Sequence, residues 1–352
     1  MKVKKKRSWN WGLLIFPLIL ALMAFFLFPL PRYIVESPGK AADVGDMIKV
    51  GDKTDHNKGE LMLTTVRLRQ ATPYLYLKTK WDDSYQLEKK EDVMGQASNE
   101  EYMKLQDYYM ETSENAAKAM ALKAAHRPYK IKFQGIYVLD ISSSSHFNKK
   151  LKVGDLITAF NQRHFDTTEE AIRYIQQQKV GANMTLTYQR DGKTHHVSAP
   201  LMKMKATGKA GIGITLVTKS SIASKPTIDI DAGDIGGPSA GMMFTLQTYE
   251  LLTGKDLEKG RKIAGTGEML MDGTIGRIGG IGDKVVAAHE AGAEIFLAPD
   301  DNITKEMKKA NPHIQTNYQE ACHMAEQRHY KMKIIPVKTL QDAIHYLEKS
   351  AA

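Results

Sequence analysis

The chain has 352 residues, 42% of them apolar and 25% charged, with a formal net charge of +9 at pH 7. That length holds about two to three domains with folded cores. Lys2, Lys4, Lys5, Lys6 and Arg7 supply five of the nine charges ahead of any folded region, so what remains excludes a nucleic-acid footprint, and the single cysteine, Cys322, excludes an internal disulfide and a cysteine-based metal knuckle.

Residues 1–10 form a basic tail. They precede the uncharged stretch WGLLIFPLILALMAFFLFPLP, residues 11–31, long enough for the ~20 residues that cross a bilayer. A basic flank before one apolar span keeps the N-terminus cytoplasmic and sends the rest outside. The span exceeds a usual signal-peptide core and no A-x-A site follows. A retained single-pass anchor in the cell membrane, with an extracytoplasmic catalytic part, is expected.

Residues 32–127 are expected to form a β-rich segment followed by a connecting helix. LMLTTVRLRQATPYLYL, 61–77, is rich in β-branched and aromatic residues, which predicts extended structure. Ser98 and Glu101 form a capping box that opens a helix stopped by Pro128, its tyrosines and methionines making a packed face.

Residues 128–205 change character. IKFQGIYVLDI and LKVGDLITAFN are strand-like, Thr167 and Glu170 cap a helix, and Asp191-Gly192 marks a hairpin turn. LKVGDLITAFNQ resembles the strand-turn-strand of bacterial PDZ domains. That resemblance puts Phe133, Gln134, Gly135 and Ile136 at the carboxylate-binding loop and makes Ile136–Ile141 an exposed edge to which a peptide adds as a strand. A module that only packs on its neighbours is the alternative.

From 206 to 350 strand-like and helix-like runs alternate, the pattern of an α/β or α+β domain. Gly237-Pro238-Ser239-Ala240-Gly241 satisfies G-x-S-x-G, so the nucleophile elbow of an α/β-hydrolase has to be weighed. His289, His313, His323, His329 and His345, with Asp300 or Asp301, follow Ser239 in the required order. Only about 110 residues follow it, however, and no HGGG-type segment precedes it.

The other partner for Ser239 is Lys284, which opens a helix after a glycine-rich turn. A lysine is a base only when neutral, and burial together with a first-turn position works against its ammonium form. Ser239 and Ala240 stand at a helix start whose N–H groups suit an oxyanion, and Gly236 and Gly237 let substrate backbone approach.

GGPSAGM, GTGEMLMDGTIGRIGGIGDKVVAAHEAG and FLAPDDN closely resemble the proteolytic domain of Lon-type proteases, from about Ile228 to Val337. The resemblance implies Ser239 as nucleophile, Lys284 as general base and Thr266 as a supporting residue that orients the lysine. Many Lon proteases carry an acidic residue three before the serine. Here that position is Gly236, and Asp234 lies two residues further back.

The order of parts resembles a family of membrane-anchored extracytoplasmic serine proteases of Gram-positive bacteria, some of which process secreted signalling peptides. Lon-type domains often form rings, so an oligomer is compatible. No G-x-x-x-x-G-K-[ST] occurs: Gly192-Lys193-Thr194 has Thr187 where the leading glycine belongs. His289-Glu290 has Ala293 in place of a second histidine, and no G-x-G-x-x-G opens a helix, so neither cofactor nor metal is expected. An ATP-independent Ser-Lys endopeptidase of extracytoplasmic peptides or unfolded chains is the leading expectation. A noncatalytic surface adaptor and a Ser-His-Asp esterase are the rivals.

Overall fold

The computed structural model describes residues 12–350. The basic tail at 1–10 and Trp11, the first residue of the expected anchor, lie outside the described residues. The chain divides into two compact units, one comprising the residues up to Gly39 with Val66–Gln96, the other Lys40–Thr65 with everything from Ala97.

In the smaller unit, Gly12–Leu27 is a helix of 16 residues with Pro17 inside it. From Ile15 to Leu27 its side chains are exposed apart from the half-buried Phe26, Phe16 at 67% and Leu18 at 68%. Among the described residues no helix is long and apolar enough to cross a membrane, and Phe28–Leu30 are not helical. The strand that begins at Tyr33 pairs antiparallel with Gln86–Lys89. The stretch 61–77 is extended only as far as Gln70. Pro73–Lys78 is a helix because Thr72 accepts the N–H of Leu75 and Pro73 takes the position where a missing N–H costs nothing.

The larger unit joins two modules. In the first, Lys333–Val337, Ile295–Pro299, Lys262–Gly265 and Glu60–Gln70 lie side by side as parallel neighbours. Alternation along them separates two cores. Leu61, Leu63, Ile263, Ile295 and Leu297 turn to one face, and Met62, Ala264, Phe296 and Ala298 to the other. The helix Gly241–Thr253 packs on the first face, through Met242, Met243, Phe244 and Leu246. The helices Ile281–Glu290 and Asn317–Gln327 cover the second.

The segment before residue 128 is thus built into this module. Besides the strand at Glu60, Ile48–Val50 pairs with Ile228–Ile230. The helix Asn99–Ala124 opens on the expected capping box, in which the side chains of Ser98 and Glu101 each accept the other's N–H. Its Met110, Ser113, Ala116, Ala117, Met120 and Ala121 recur at three- and four-residue spacing and are buried. The small ones let it lie close against Gly241–Thr253. The packed face is real, but the helix is a wall of the core and not a connector.

The second module is a five-stranded antiparallel sheet in the order Ile214–Ser224, Tyr129–Ile141, Leu156–Phe160, Asn183–Arg190, Lys193–Pro200, with the helix Thr168–Gln176 against it. Asp191 and Gly192 turn the last hairpin with φ of 49° and 72°, the geometry that matches strand twist. Asp155, 1% exposed, holds Arg190 through two hydrogen bonds of 2.7 and 2.6 Å. The sheet takes in residues up to Ser224, beyond the expected limit at 205.

Because two strands and a helix from before residue 128 complete its sheet and core, the segment 206–352 expressed alone is expected to lack a cooperative thermal transition and near-ultraviolet circular dichroism. A sharp transition in that fragment would contradict this architecture.

Candidate active site

Ser239 lies in a 3-10 turn, Pro238–Ala240, that feeds directly into Gly241–Thr253. Thr266 follows the strand Lys262–Gly265 and is 0% exposed; Lys284 sits in the first turns of Ile281–Glu290 and is 3% exposed. Gly280 starts that helix with φ of 64°. The three candidate residues come from three separate elements, and one hydroxyl joins them. Lys284 Nζ donates to Thr266 Oγ1 at 3.3 Å, and Thr266 Oγ1 donates to the carbonyl of Ser239 at 3.1 Å. A hydroxyl has one proton to give and two lone pairs, so it serves both bonds at once. Gly267 N adds a second bond to the Ser239 carbonyl at 2.8 Å, and Met242 N returns to Gly267 O at 3.0 Å.

The long helix fixes the other side of the turn. Gly237 N donates to Gln106 O at 3.0 Å and Ser113 Oγ donates to Pro238 O at 2.9 Å. A Cβ on Gly236 would fall 2.8 Å from Gln106 Cβ, and one on Gly241 would fall 2.6 Å from Ser113 Oγ and 2.8 Å from Met269 N. Gly237 has φ of 89°, which a side chain resists. The neighbour these glycines admit in this structure is the long helix. Gln106 and Ser113 were not singled out from sequence; the run of small residues facing the serine helix was the available signal.

Asp234 is exposed, and among the described residues no hydrogen bond joins it to Ser239, Thr266 or Lys284. The acids of an esterase triad are engaged elsewhere: Asp301 with Arg277 at 3.0 Å and Asp300 with Lys338 at 3.3 Å. His289 stacks on Tyr330 with ring centroids 3.7 Å apart. No histidine hydrogen-bonds Ser239 among the described residues. Lys193 and Thr194 begin a strand, so the Gly192-Lys193-Thr194 stretch is a hairpin and not a phosphate loop.

Beside the serine turn is a cavity of about 310 Å³, walled by Glu268, Leu270 and Met271 on one side and by Tyr108, Thr218 and Ile222 on the other. Burial pushes the Glu268 carboxyl up. The two modules meet here. Tyr108 stacks on Tyr137 at 4.6 Å and donates to Thr218 O at 3.1 Å, Tyr137 donates to Lys104 O at 3.0 Å, and Lys219 pairs with Glu111 at 2.7 Å. Burial pushes the Tyr137 hydroxyl up to about 12.

The β-rich module corrects the expected peptide site. Phe133, Gln134, Gly135 and Ile136 are not a loop but the middle of Tyr129–Ile141. A register shift leaves Gln134 bulged, and Gly135, at φ of 153°, lies so near Ile157 O that a Cβ would come within 2.7 Å. The edge expected at Ile136–Ile141 is taken by Ile214–Ser224 along its length, and Leu156–Phe160 pairs with Ile136 and Tyr137 on the other side. The sheet's margins are Ile214–Ser224 next to this strand and Lys193–Pro200 at the far end. The start of Ile214–Ser224 forms a pocket of about 200 Å³ with Ile172 and Ile175 of the neighbouring helix, and Gly211 to Gly213 turn in front of it. The glycine-flanked Gly211-Ile212-Gly213-Ile214 was the sequence signal for that turn.

Residues 96–201 match the PDZ domain family, and residues 221–346 match the Lon protease (S16) C-terminal proteolytic domain. The chain combines a PDZ domain with a Lon-type serine peptidase domain. It is 41% identical over 66 residues to the Lon protease of Desulforamulus reducens, covering 19% of this chain and 8% of that protein. To the Lon protease of Methanosarcina barkeri it is 30% identical over 119 residues, covering 28% and 15%. The chain therefore matches less than a sixth of these relatives' length. It is also similar to the PDZ domain of an SdrC-like protein of Listeria monocytogenes, 33% identical over 25% of this chain and 93% of that one, with a TM-score of 0.24.

Gly241→Ala forces a Cβ against the backbone of Met269, so the serine turn must shift. Peptidase turnover is expected to fall at least about tenfold while the far-ultraviolet spectrum stays native, since small displacements of a nucleophile cost far more rate than stability. Wild-type turnover in this variant would show that the turn tolerates displacement.

Proposed function

We propose that this protein is a membrane-anchored, ATP-independent serine endopeptidase that cleaves extracytoplasmic peptides or unfolded chains with a Ser239–Lys284 dyad. The observation that carries the reading is the hydroxyl of Thr266, which ties the enclosed Lys284 amine to the turn holding Ser239. A scaffold has no use for that constellation. Anchoring is supported by the apolar stretch 11–31 and by the outward apolar side chains of Gly12–Leu27. ATP independence is supported by the lack of any G-x-x-x-x-G-K-[ST] in the 352 residues.

In the proposed reaction Ser239 Oγ attacks the substrate carbonyl carbon and gives its proton to the neutral amine of Lys284. The oxyanion meets backbone N–H groups of the Ser239–Ala240 turn, at the positive end of the helix that follows. The amide C–N bond breaks, the leaving amine takes the proton from Lys284, and an acyl-serine remains. Water then attacks, with Lys284 accepting its proton and returning it to Ser239. Thr266 is a positioning residue, and Asp234, exposed at the rim, takes no step. The cavity bounded by Glu268, Met271 and Tyr108 is the place assigned to substrate beside the serine. The margin strand Ile214–Ser224 and the helix Thr168–Gln176 are assigned to recruit a peptide by strand addition.

Incubating the purified protein with host secreted peptides without ATP, and reading new termini by mass spectrometry, tests the reaction. Ser239→Ala and Lys284→Ala are each expected to abolish cleavage; full activity in either removes the dyad mechanism. Thr266→Val is expected to lower kcat by about 10²-fold with little change in KM, and Thr266→Ser to retain most of it. Equal activity of the Val variant would remove the bridging role.

Leu216→Arg, at the recruiting pocket, should raise KM for long peptides and leave short ones unaffected. Loss of cleavage for both lengths in a folded variant would argue against a separate recruiting groove.

A further inference from the structure

At the far end of the serine helix, roughly 15 Å from Ser239 at 1.5 Å per residue, lies a group of acids that the proposed reaction does not use. Asp55, Glu250 and Glu258 each bring a carboxylate oxygen within 4.8 Å of the others. Two oxygens on one calcium ion, each at 2.3–2.6 Å, stand at most about 5 Å apart. The spacing therefore fits a shared hard cation.

Proximity of acids alone would mean little, since such groups are common on surfaces. Two of these are not on the surface: Glu258 is 0% exposed and Glu250 2%, and Asp55 is half-buried beside them. Glu258 Oε1 has no hydrogen-bond partner among the described residues. The fully buried Gln247, one helical turn before Glu250, turns its amide nitrogen to the acids and donates to Glu250 Oε1 at 3.3 Å. A buried acceptor left without a donor costs about 1–3 kcal/mol, more when charged. Glu258 Oε1, inside a group of three acids, calls for something positive beside it.

The other oxygens are held in fixed positions. Asn57 Nδ2 donates to Glu250 Oε1 at 2.8 Å and to Glu258 Oε2 at 3.2 Å, and Leu257 N donates to Glu250 Oε2 at 2.7 Å. Gly59 lies so close that a Cβ would meet Glu258 Cβ at 2.1 Å, so the loop is already seated on the acids. An adjoining cavity of about 410 Å³, lined by Asp52, Asp55, His56, Asn57, Glu250 and Lys255, gives a hydrated ion a way in. Lys255 is itself paired with Glu348 at 2.5 Å.

We propose that Asp55, Glu250 and Glu258 bind one divalent cation of the hard, oxygen-seeking class, calcium fitting best. Carboxylate donors exclude metals that prefer nitrogen or sulfur, and an irregular set completed by water suits calcium better than magnesium, which demands a near-ideal octahedron. The ion would clamp the loop before Glu60–Gln70 to the C-terminal end of the serine helix, where the helix dipole also favours a cation. Its role is to stabilise the fold that carries the site, and it takes no part in the chemistry. The proposal does not depend on the peptidase reading.

The test uses the full chain, purified in detergent, stripped with chelator and titrated with calcium chloride alone by calorimetry and thermal melting. One ion per chain is expected, with a rise in Tm of about 5–10 °C at a hundredfold excess over Kd. Glu258→Gln and Asp55→Asn keep the side-chain volume and remove one charge. Each should weaken binding at least tenfold, and the second, at a partly exposed position, serves if the first does not fold. No saturable binding and no change in Tm at up to about 10 mM calcium, above the ~0.1–1 mM at which extracellular sites bind, would overturn the proposal and leave the acids sharing a proton. Unchanged affinity in the variants would overturn it too.

Discussion

Everything at the proposed catalytic centre depends on how closely the helix Asn99–Ala124 lies against the turn that carries Ser239. Three glycines on that turn have no room for a side chain: Gly236 and Gly237 are filled by Gln106, and Gly241 by Ser113 and Met269. Two hydrogen bonds, from Gly237 N to Gln106 O and from Ser113 Oγ to Pro238 O, hold the contact. The turn is thereby clamped between the long helix on one side and Thr266 with Gly267 on the other. A nucleophile gains most from being held in place before substrate arrives, and this clamp supplies that order.

The same helix gives the two modules a common wall. Its Lys104, Tyr108, Glu111 and Asn115 contact the strands of the second module, while Gln106 and Ser113 hold the serine turn. Successive turns of one rigid element therefore touch the margin strand Ile214–Ser224 and the catalytic turn. In the proposed function, a peptide added at that margin would be anchored to the scaffold that positions Ser239. The cavity between Tyr108 and Met271 lies on the way.

The residues of the proposed dyad were legible in the sequence because their chemistry is local: a serine behind glycines at a helix start and a lysine opening the next helix each announce themselves within ten residues. The capping box of Ser98 and Glu101, the Thr167 cap and the Asp191-Gly192 hairpin were legible for the same reason. Strand pairing was not. IKFQGIYVLDI reads as a strand and is one; it was the PDZ resemblance that put a loop at Phe133-Gln134-Gly135-Ile136, where the closeness of Ile157 O shows Gly135 serving a bulge. That Ile214–Ser224 would occupy the edge at Ile136–Ile141, or that Glu60–Gln70 would enter the protease sheet beside Lys262–Gly265, rests on contacts between distant residues. Propensity carries no record of those. Gln106 and Ser113 were hidden likewise, since a polar residue on a helix looks solvated until its partner, more than a hundred residues away, is in place.

The central claim is that Ser239 is the group made reactive by this arrangement, and covalent trapping tests it most directly. The intact protein, without nucleotide, would be exposed to a peptidyl phosphonate that reacts only with activated serines, and the adduct located by mass spectrometry. The account predicts a single adduct on Ser239, formed at a rate that collapses when Lys284 is replaced by alanine. An adduct on a different residue, or labelling of Ser239 at the same rate without Lys284, would contradict it.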